Sequence, residues 1–151
     1  MPTGIMADFD DAVAKTRRQI ENALPLLESI MKTETSNSVD DNVYGAYYPT
    51  EYERRGDAGG MSDTKNYATN IYVPSLTVVL TNETTGNPAY SGSRDGWDSG
   101  DISDIVESGN GYNWRRSRIF KTRQARPYMD KAEEKAAKAF EPVLTDAYLS
   151  M

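Results

Sequence analysis

Residues 7 to 32, ADFDDAVAKTRRQIENALPLLESIMK, place Phe9, Val13, Ile20, Leu24, Leu27 and Met31 at near-helical spacing, with Ala12 and Ala23 beside them and polar residues on the other face. That spacing predicts a long amphipathic helix covering a sheet, with Asp8, Asp10 and Asp11 at the positive end of its dipole. Pro25 removes a hydrogen bond inside it and predicts a kink or break. The polar run TETSNSVDDN, residues 33 to 42, predicts a loop. Strands are expected within 43 to 81, most clearly where Leu76, Val78 and Leu80 alternate with Thr77, Val79 and Thr81. Pro74 cannot donate to a ladder, so that strand starts after it or lies at an edge there.

NETTGNPAYSGSRDGWDSG, residues 82 to 100, is dense in turn residues and predicts an unusually long loop. A short helix is expected over 101–108, with Asp101 as N-cap, Asp104 in the first turn, Ile102, Ile105 and Val106 buried, and Gly109 as the left-handed cap. The last helix is expected over 127–141, with Pro127 in its first turn and Tyr128, Ala132, Ala136, Ala139 and Phe140 near one face. Pro142 would kink or end it. The sum is an α+β single domain of 151 residues, an antiparallel β-sheet flanked by a long N-terminal helix and a C-terminal helix.

Composition narrows the chemistry. The chain has no histidine and no cysteine, which removes Ser-His-Asp triads, cysteine nucleophiles, thiolate or imidazole zinc sites and disulfides together. The acidic run Asp95, Asp98, Asp101, Asp104, Glu107 fails as an EF-hand, because Trp97 breaks a loop begun at Asp95. No glycine cluster leads into a Lys-Ser or Lys-Thr pair, so there is no phosphate-binding loop. The carboxylates are scattered through polar stretches. Neither a cofactor, a metal nor an enzymatic activity is expected. No run approaches the roughly 20 apolar residues of a membrane span, and the opening MPTGIMADFDDA does not read as a leader peptide. A soluble protein made in the cytoplasm, without a membrane partner, is expected.

Charge is segregated along the chain. The net charge is -6, yet residues 1 to 114 hold 8 Lys+Arg against 18 Asp+Glu, while residues 115 to 151 hold 9 against 5. From 115 to 126 run Arg115, Arg116, Arg118, Lys121, Arg123 and Arg126 without an acidic residue. Such a patch pairs with DNA phosphates, with the acidic region of its own chain, or with the acidic face of a neighbouring copy. Tyr112, Trp114, Phe120 and Tyr128 interleave with it, so a small nucleic-acid-binding protein using 115–126 is one reading. A ring of copies, positive edge to negative edge, is the other.

A further segment, YGAYYPTEYERRGDAGGM at 44–61, packs Tyr44, Tyr47, Tyr48 and Tyr52 around Arg54 and Arg55. Tyrosine suits surfaces that are partly buried and partly wet, at the rim of a core or at a contact between chains.

Three segments carry a resemblance. They are Tyr48, Pro49, Tyr52, Arg54 and Arg55; then Ile105, Val106, Glu107, Gly109, Gly111 and Tyr112; then Arg126, Pro127 and Tyr128. In this order and spacing, from about 44 to 140, the chain resembles the small head-tail joining proteins of long-tailed double-stranded DNA phages, described as minor capsid or tail-completion components. It departs from them in tyrosine at 128, where phenylalanine is expected, and in the long 82–100 loop. The resemblance implies a structural virion protein of the neck, made in the host cytoplasm. It would form a ring of itself, a hexamer, that completes the tail end and joins it to the DNA-filled head. Its other partners would be neighbouring neck, tail-terminator or head-completion proteins, with DNA at most as cargo passing the lumen. The implied interface residues are Tyr48, Tyr52, Arg54, Arg55, Arg115, Arg116, Arg118, Arg123, Arg126, Pro127 and Tyr128.

Overall fold

The computed structural model describes residues 5–46, 56–85, 102–108 and 125–149. Helix α1 spans Ile5–Val39, and a five-residue π-helical turn, Asp40–Tyr44, extends it. A 3-10 turn at Thr64–Asn66 leads into a hairpin of β1 (Tyr67–Tyr72) and β2 (Thr77–Asn82). Short helix α2 (Ser103–Ser108) and long helix α3 (Tyr128–Leu149) follow. This is the α+β domain expected, with one two-stranded antiparallel sheet among the described residues.

The first helix corrects the 33–42 loop. Thr, Ser and Asn are weak helix formers because their side chains compete for backbone groups, but here those side chains are employed. The Thr33 hydroxyl donates to the Ser29 carbonyl at 3.1 Å, Ser36 to the Ser62 carbonyl at 2.8 Å and Ser38 to the Tyr128 carbonyl at 2.7 Å. Thr35, Ser38 and Val39 are all buried. Tertiary bonding thus outweighs local propensity. Nor does Pro25 break α1, since it lies inside one continuous helix beside the buried Leu24. Its cost is offset by packing on either side.

The π-helical turn has a structural use. Its wider coil closes with the Gly45 N–H donating to the Asp40 carbonyl at 2.8 Å and buries Val43. Asn42 Oδ1 accepts from Lys131 Nζ at 2.6 Å, and Asp41 Oδ2 meets Lys135 Nζ at 3.2 Å, so the turn is tied to α3.

The strands occupy less of 43–81 than expected: among the described residues only 67–72 and 77–82 are extended, and Val43 and Tyr44 are helical. Register runs from Tyr67↔Asn82 to Tyr72↔Thr77. Leu80 and Asn82 are buried and Val78 half-buried on one face, as the alternation requires. Leu76 is not part of it. It closes the turn after Pro74 with a left-handed φ of 52° and an N–H to the Val73 carbonyl at 3.2 Å. The hairpin lies on α1: the Arg17 guanidinium donates to the carbonyls of Val73 at 3.3 Å and Pro74 at 2.9 Å, and the Thr69 hydroxyl donates to Glu28 Oε1 at 2.5 Å.

Helix α3 starts one residue after Pro127 and buries Tyr128, Ala132, Ala136 and Phe140 at four-residue steps. Ala139, expected on that face, is exposed. Pro142 does not end the helix, which continues to Leu149. Because α3 begins beside Ser38, at the end of α1, and packs along α1, the two helices run antiparallel. A core of Val39, Val43, Met61 and Tyr128 forms where the π-helical turn, α3 and the 56–63 turn meet, with Ile102 and Val106 of the α2 region packed against it. Asp101 and Gly109, the expected caps of α2, and residues 86–100 of the expected loop lie outside the described residues. The first residues of that loop, Asn82 and Thr84, are buried.

Candidate interaction surface

Of the expected interface residues, Arg126, Pro127 and Tyr128 are described; Tyr48, Tyr52, Arg54, Arg55, Arg115, Arg116, Arg118 and Arg123 lie outside the described residues. Tyr128 is 0% exposed. Its hydroxyl is hydrogen-bonded to Ser103 and its carbonyl accepts from Ser38. The side chain belongs to the core of its own chain and is not available to another. Arg126 is half-buried: its guanidinium donates to the Val43 carbonyl at 3.3 Å, and its N–H donates to the Val106 carbonyl at 3.0 Å. Glu107 finishes this junction by accepting from the Met129 N–H at 3.0 Å, which caps one open donor in the first turn of α3. Pro127 is exposed and, with Asp41, Asn42, Ala125, Arg126 and Lys131, lines a concavity of about 390 Å³ at the foot of α3.

Tyr44 is half-buried, and its hydroxyl accepts the Met61 N–H at 2.9 Å. It packs within the domain. It borders a buried polar knot at the 56–63 turn, where Asn82 Nδ2 (3.1 Å) and the Tyr67 hydroxyl (2.7 Å) both donate to the Met61 carbonyl. Asn82 Oδ1 in turn accepts the Thr84 hydroxyl at 2.6 Å. Asp63 accepts the N–H groups of Lys65 at 3.0 Å and Gly59 at 2.8 Å, and these bonds hold its carboxyl below the usual carboxylate range. Burial pushes the Tyr67 phenol upward, so it stays neutral. Among the described residues no buried side-chain polar atom lacks a partner. The knot is therefore a closed structural network. No group of metal-binding side chains occurs among the described residues, and no described helix is long and apolar enough to cross a membrane.

The surface that stands out lies at the other end. The two helices are about 52 and 33 Å long at 1.5 Å per residue, and α3 starts level with Ser38, so it ends near residue 17 of α1. The hairpin tip stops there too, held by Arg17. Helix α1 continues past both by roughly 18 Å. Of residues 6–15 all but Ala7 are exposed, yet Met6, Phe9 and Val13 continue the apolar side of α1 that carries Leu24 and Met31 deeper in the fold. Phe9 is 64% and Val13 51% exposed. The helical period located Phe9 and Val13 on the core-facing side, while Met6 lay before the expected helix; their lack of cover could not be read from the sequence, because it depends on where α3 and the hairpin end. Tyr72, beside the hairpin turn, and Tyr148 and Leu149, at the end of α3, are also exposed, but on other faces: Tyr72 pairs with Thr77 on the side of the hairpin away from Thr69 and Glu28, and Tyr148 and Leu149 lie off the buried side of α3. Met6, Phe9 and Val13 form an apolar ledge on the projecting end of α1.

A family model matches residues 6–149, nearly the whole chain including this ledge, and its description is YomN. The chain belongs to the YomN family. Membership suggests a phage-derived, prophage-like protein, which agrees with the origin expected from the resemblance while leaving head-tail joining unaddressed. No curated protein and no solved structure matches the chain. The YomN match covers α1, the hairpin, α2 and α3 alike, so the ledge on α1 lies within the matched span.

Proposed function

We propose that this YomN-family chain is a structural component of a phage particle that acts at the neck, where a ring of its copies, a hexamer, completes the tail end and joins it to the DNA-filled head. The observation that carries the reading is the apolar stripe Met6, Phe9 and Val13 on a helix that outruns its own domain. Soluble monomers rarely leave such stripes uncovered, whereas assembly proteins need them. The basic segment ending at Arg126 and the acidic character of residues 1 to 114 supply charge of both signs for contacts between copies and with neighbouring neck, terminator or head-completion proteins. DNA is cargo in this reading and the protein does no chemistry.

The nucleic-acid reading of 115–126 is weaker on one count. Arg126, the described arginine of that segment, has its guanidinium turned to the Val43 carbonyl. The deciding experiment is electron microscopy of lysates from a phage carrying a nonsense allele of this gene. DNA-filled heads beside separate full-length tails are expected. Normally joined virions would refute the neck role, and retention of the purified protein on DNA, falling steeply with salt, would favour the alternative.

A further inference from the structure

We infer that the outer edge of β1 pairs with the same edge of a second copy of this chain: two hairpins join antiparallel, β1 to β1, about a two-fold axis at Asn70, into one four-stranded sheet. The register fixes which backbone groups are free. The Glu83 N–H donates to the Asn66 carbonyl at 2.8 Å, so by alternation Ala68/Thr81, Asn70/Val79 and Tyr72/Thr77 are the hydrogen-bonded pairs of the hairpin. The N–H and C=O groups of Thr69 and Ile71 therefore point outward, and among the described residues no third strand meets them. On the β2 side, the next outward residue after Asn82 is Thr84, whose carbonyl already accepts the Ile102 N–H at 3.0 Å. The β1 edge is the open one.

This edge lacks the devices that keep edges apart. From Tyr67 to Asn82 there is no Asp, Glu, Lys or Arg, in a chain of which 26% is charged, and β1 has no proline. Charged side chains and prolines are what natural edges use against pairing. Cover from its own helix is also incomplete. On the side facing α1, Leu80 is buried where its partner Thr69 is half-buried, and Val78 is half-buried where its partner Ile71 is 37% exposed. Helix α1 thus lies nearer β2, and β1 overhangs it.

The sequence of β1 selects a copy of itself as the occupant. With Asn70 opposite Asn70 of the copy, Thr69 and Ile71 of each chain face Ile71 and Thr69 of the other, and their outward N–H and C=O groups meet in the alternation an antiparallel pair requires. On the outer face the exposed Tyr72 then lies over Ala68 of the copy, large against small, and the two Asn70 amides meet. Any strand makes the backbone bonds; β1 also supplies its own small residue where its own large one lands. Charge favours the same choice. Each chain carries a net charge of -6, so copies repel except where a surface is free of charge, as this hairpin is. There is room beneath: with strands about 4.8 Å apart, β2 and its copy are separated by roughly 14 Å, wider than the about 8–10 Å between packed helices. The small contact makes this a reversible pair whose population follows concentration.

The pairing does not rest on the neck reading, which the nonsense allele tests separately. The experiment is sedimentation velocity of the full chain over a hundred-fold range of concentration. Mass should rise with concentration toward that of two chains. Asn70→Lys and Asn70→Asp each set like charges opposite one another at the axis, so either variant alone should stay at one chain mass, and a mixture of the two should regain the pair. Leu26→Lys, exposed on the side of α1 opposite Leu24, should leave the midpoint in place. Circular dichroism of the variants should show unchanged melting at low concentration, because both positions are exposed. Amide exchange at Thr69 and Ile71 should slow at least several-fold as concentration rises, while exchange at Val78, on the other edge, should not. A single-chain mass for the unaltered protein at every concentration would overturn the proposal and leave the edge to a strand of a different protein. So would association that both Asn70 variants retain, or a mixture of the two that stays unpaired.

Discussion

Replacing Tyr128 by phenylalanine separates a core role from an interface role. The ring is fully buried, and its hydroxyl is bonded to Ser103, itself 5% exposed. Deleting the oxygen removes one partner of a buried hydroxyl pair while the bond from Ser38 to the Tyr128 carbonyl stays. Loss of one buried hydrogen bond costs about 0.5–1.5 kcal/mol, and a melting temperature in a domain of this size falls about 2–4 °C per kcal/mol. Tyr128→Phe is therefore expected to lower unfolding stability by about 1 kcal/mol and melting by roughly 2–4 °C. Tyr128→Ala, which also empties the site between α1 and α3, should lose about 3–5 kcal/mol, the range of large aromatic truncations. Urea unfolding followed by circular dichroism at two protein concentrations measures both. A double-mutant cycle with Ser103→Ala should return a coupling of about 1 kcal/mol, since the two hydroxyls lose one shared bond. A Tyr128→Phe chain as stable as the original, with a Tyr128→Ala chain within about 1 kcal/mol of it, would refute the placement of this residue in the core.

Gly60→Ala should be more damaging than its chemistry suggests, because an added Cβ would lie 2.5 Å from the Gly56 carbonyl oxygen, 2.6 Å from the Gly56 nitrogen and 2.9 Å from the Tyr44 hydroxyl. A loss of about 2 kcal/mol or more is expected, with Tyr44 fluorescence or hydrogen exchange at Met61 reporting the displaced turn. Asp63 has a folded pKa below its unfolded one, so its contribution is complete above the ordinary carboxylate value and is lost as pH falls through the folded value. Asp63→Asn should therefore flatten the fall in stability below about pH 4 and lower stability at pH 7; parallel acid-unfolding curves for the two proteins would contradict the sign. Glu107→Ala removes the cap on the Met129 N–H. It should cost about 1 kcal/mol and raise hydrogen exchange in the first turn of α3, with Glu107→Gln retaining most of the protection.

Much of the fold follows from periodicity. The stripe Tyr128, Ala132, Ala136 and Phe140 and the alternation through Val78 and Leu80 survive intact, because a buried face imposes its period wherever a partner element covers it. What periodicity misses has particular causes. Residues 33–39 have loop composition and are helical, since their hydroxyls bond to Ser62 and Tyr128, which lie far along the chain. Pro25 and Pro142 are helix interrupters by local rules and sit inside helices held by tertiary packing. Tyr128 falls on the expected stripe of α3 and is also an interface residue implied by the resemblance, and only its meeting with Ser103 shows that its polar tip is satisfied inside. The surface on α1 was half legible: the apolar stripe is in the sequence, while the absence of cover over Phe9 and Val13 is set by the lengths of other elements.

The antiparallel seam between α1 and α3 also bears on timing. The bond from Ser38 to Tyr128 joins residues 90 positions apart, and α3 is the last of the described elements to be synthesised. While the chain grows, the Val39 side of α1 has no Tyr128 to cover it, so the core cannot close until the final helix has emerged. A partly made chain thus exposes the inner side of α1 as well as its free end, and only the complete seam confines stickiness to the ledge. Emergence of α3 would act as a checkpoint: a chain that lacks it keeps the inner side of α1 open and is a target for chaperones or proteases.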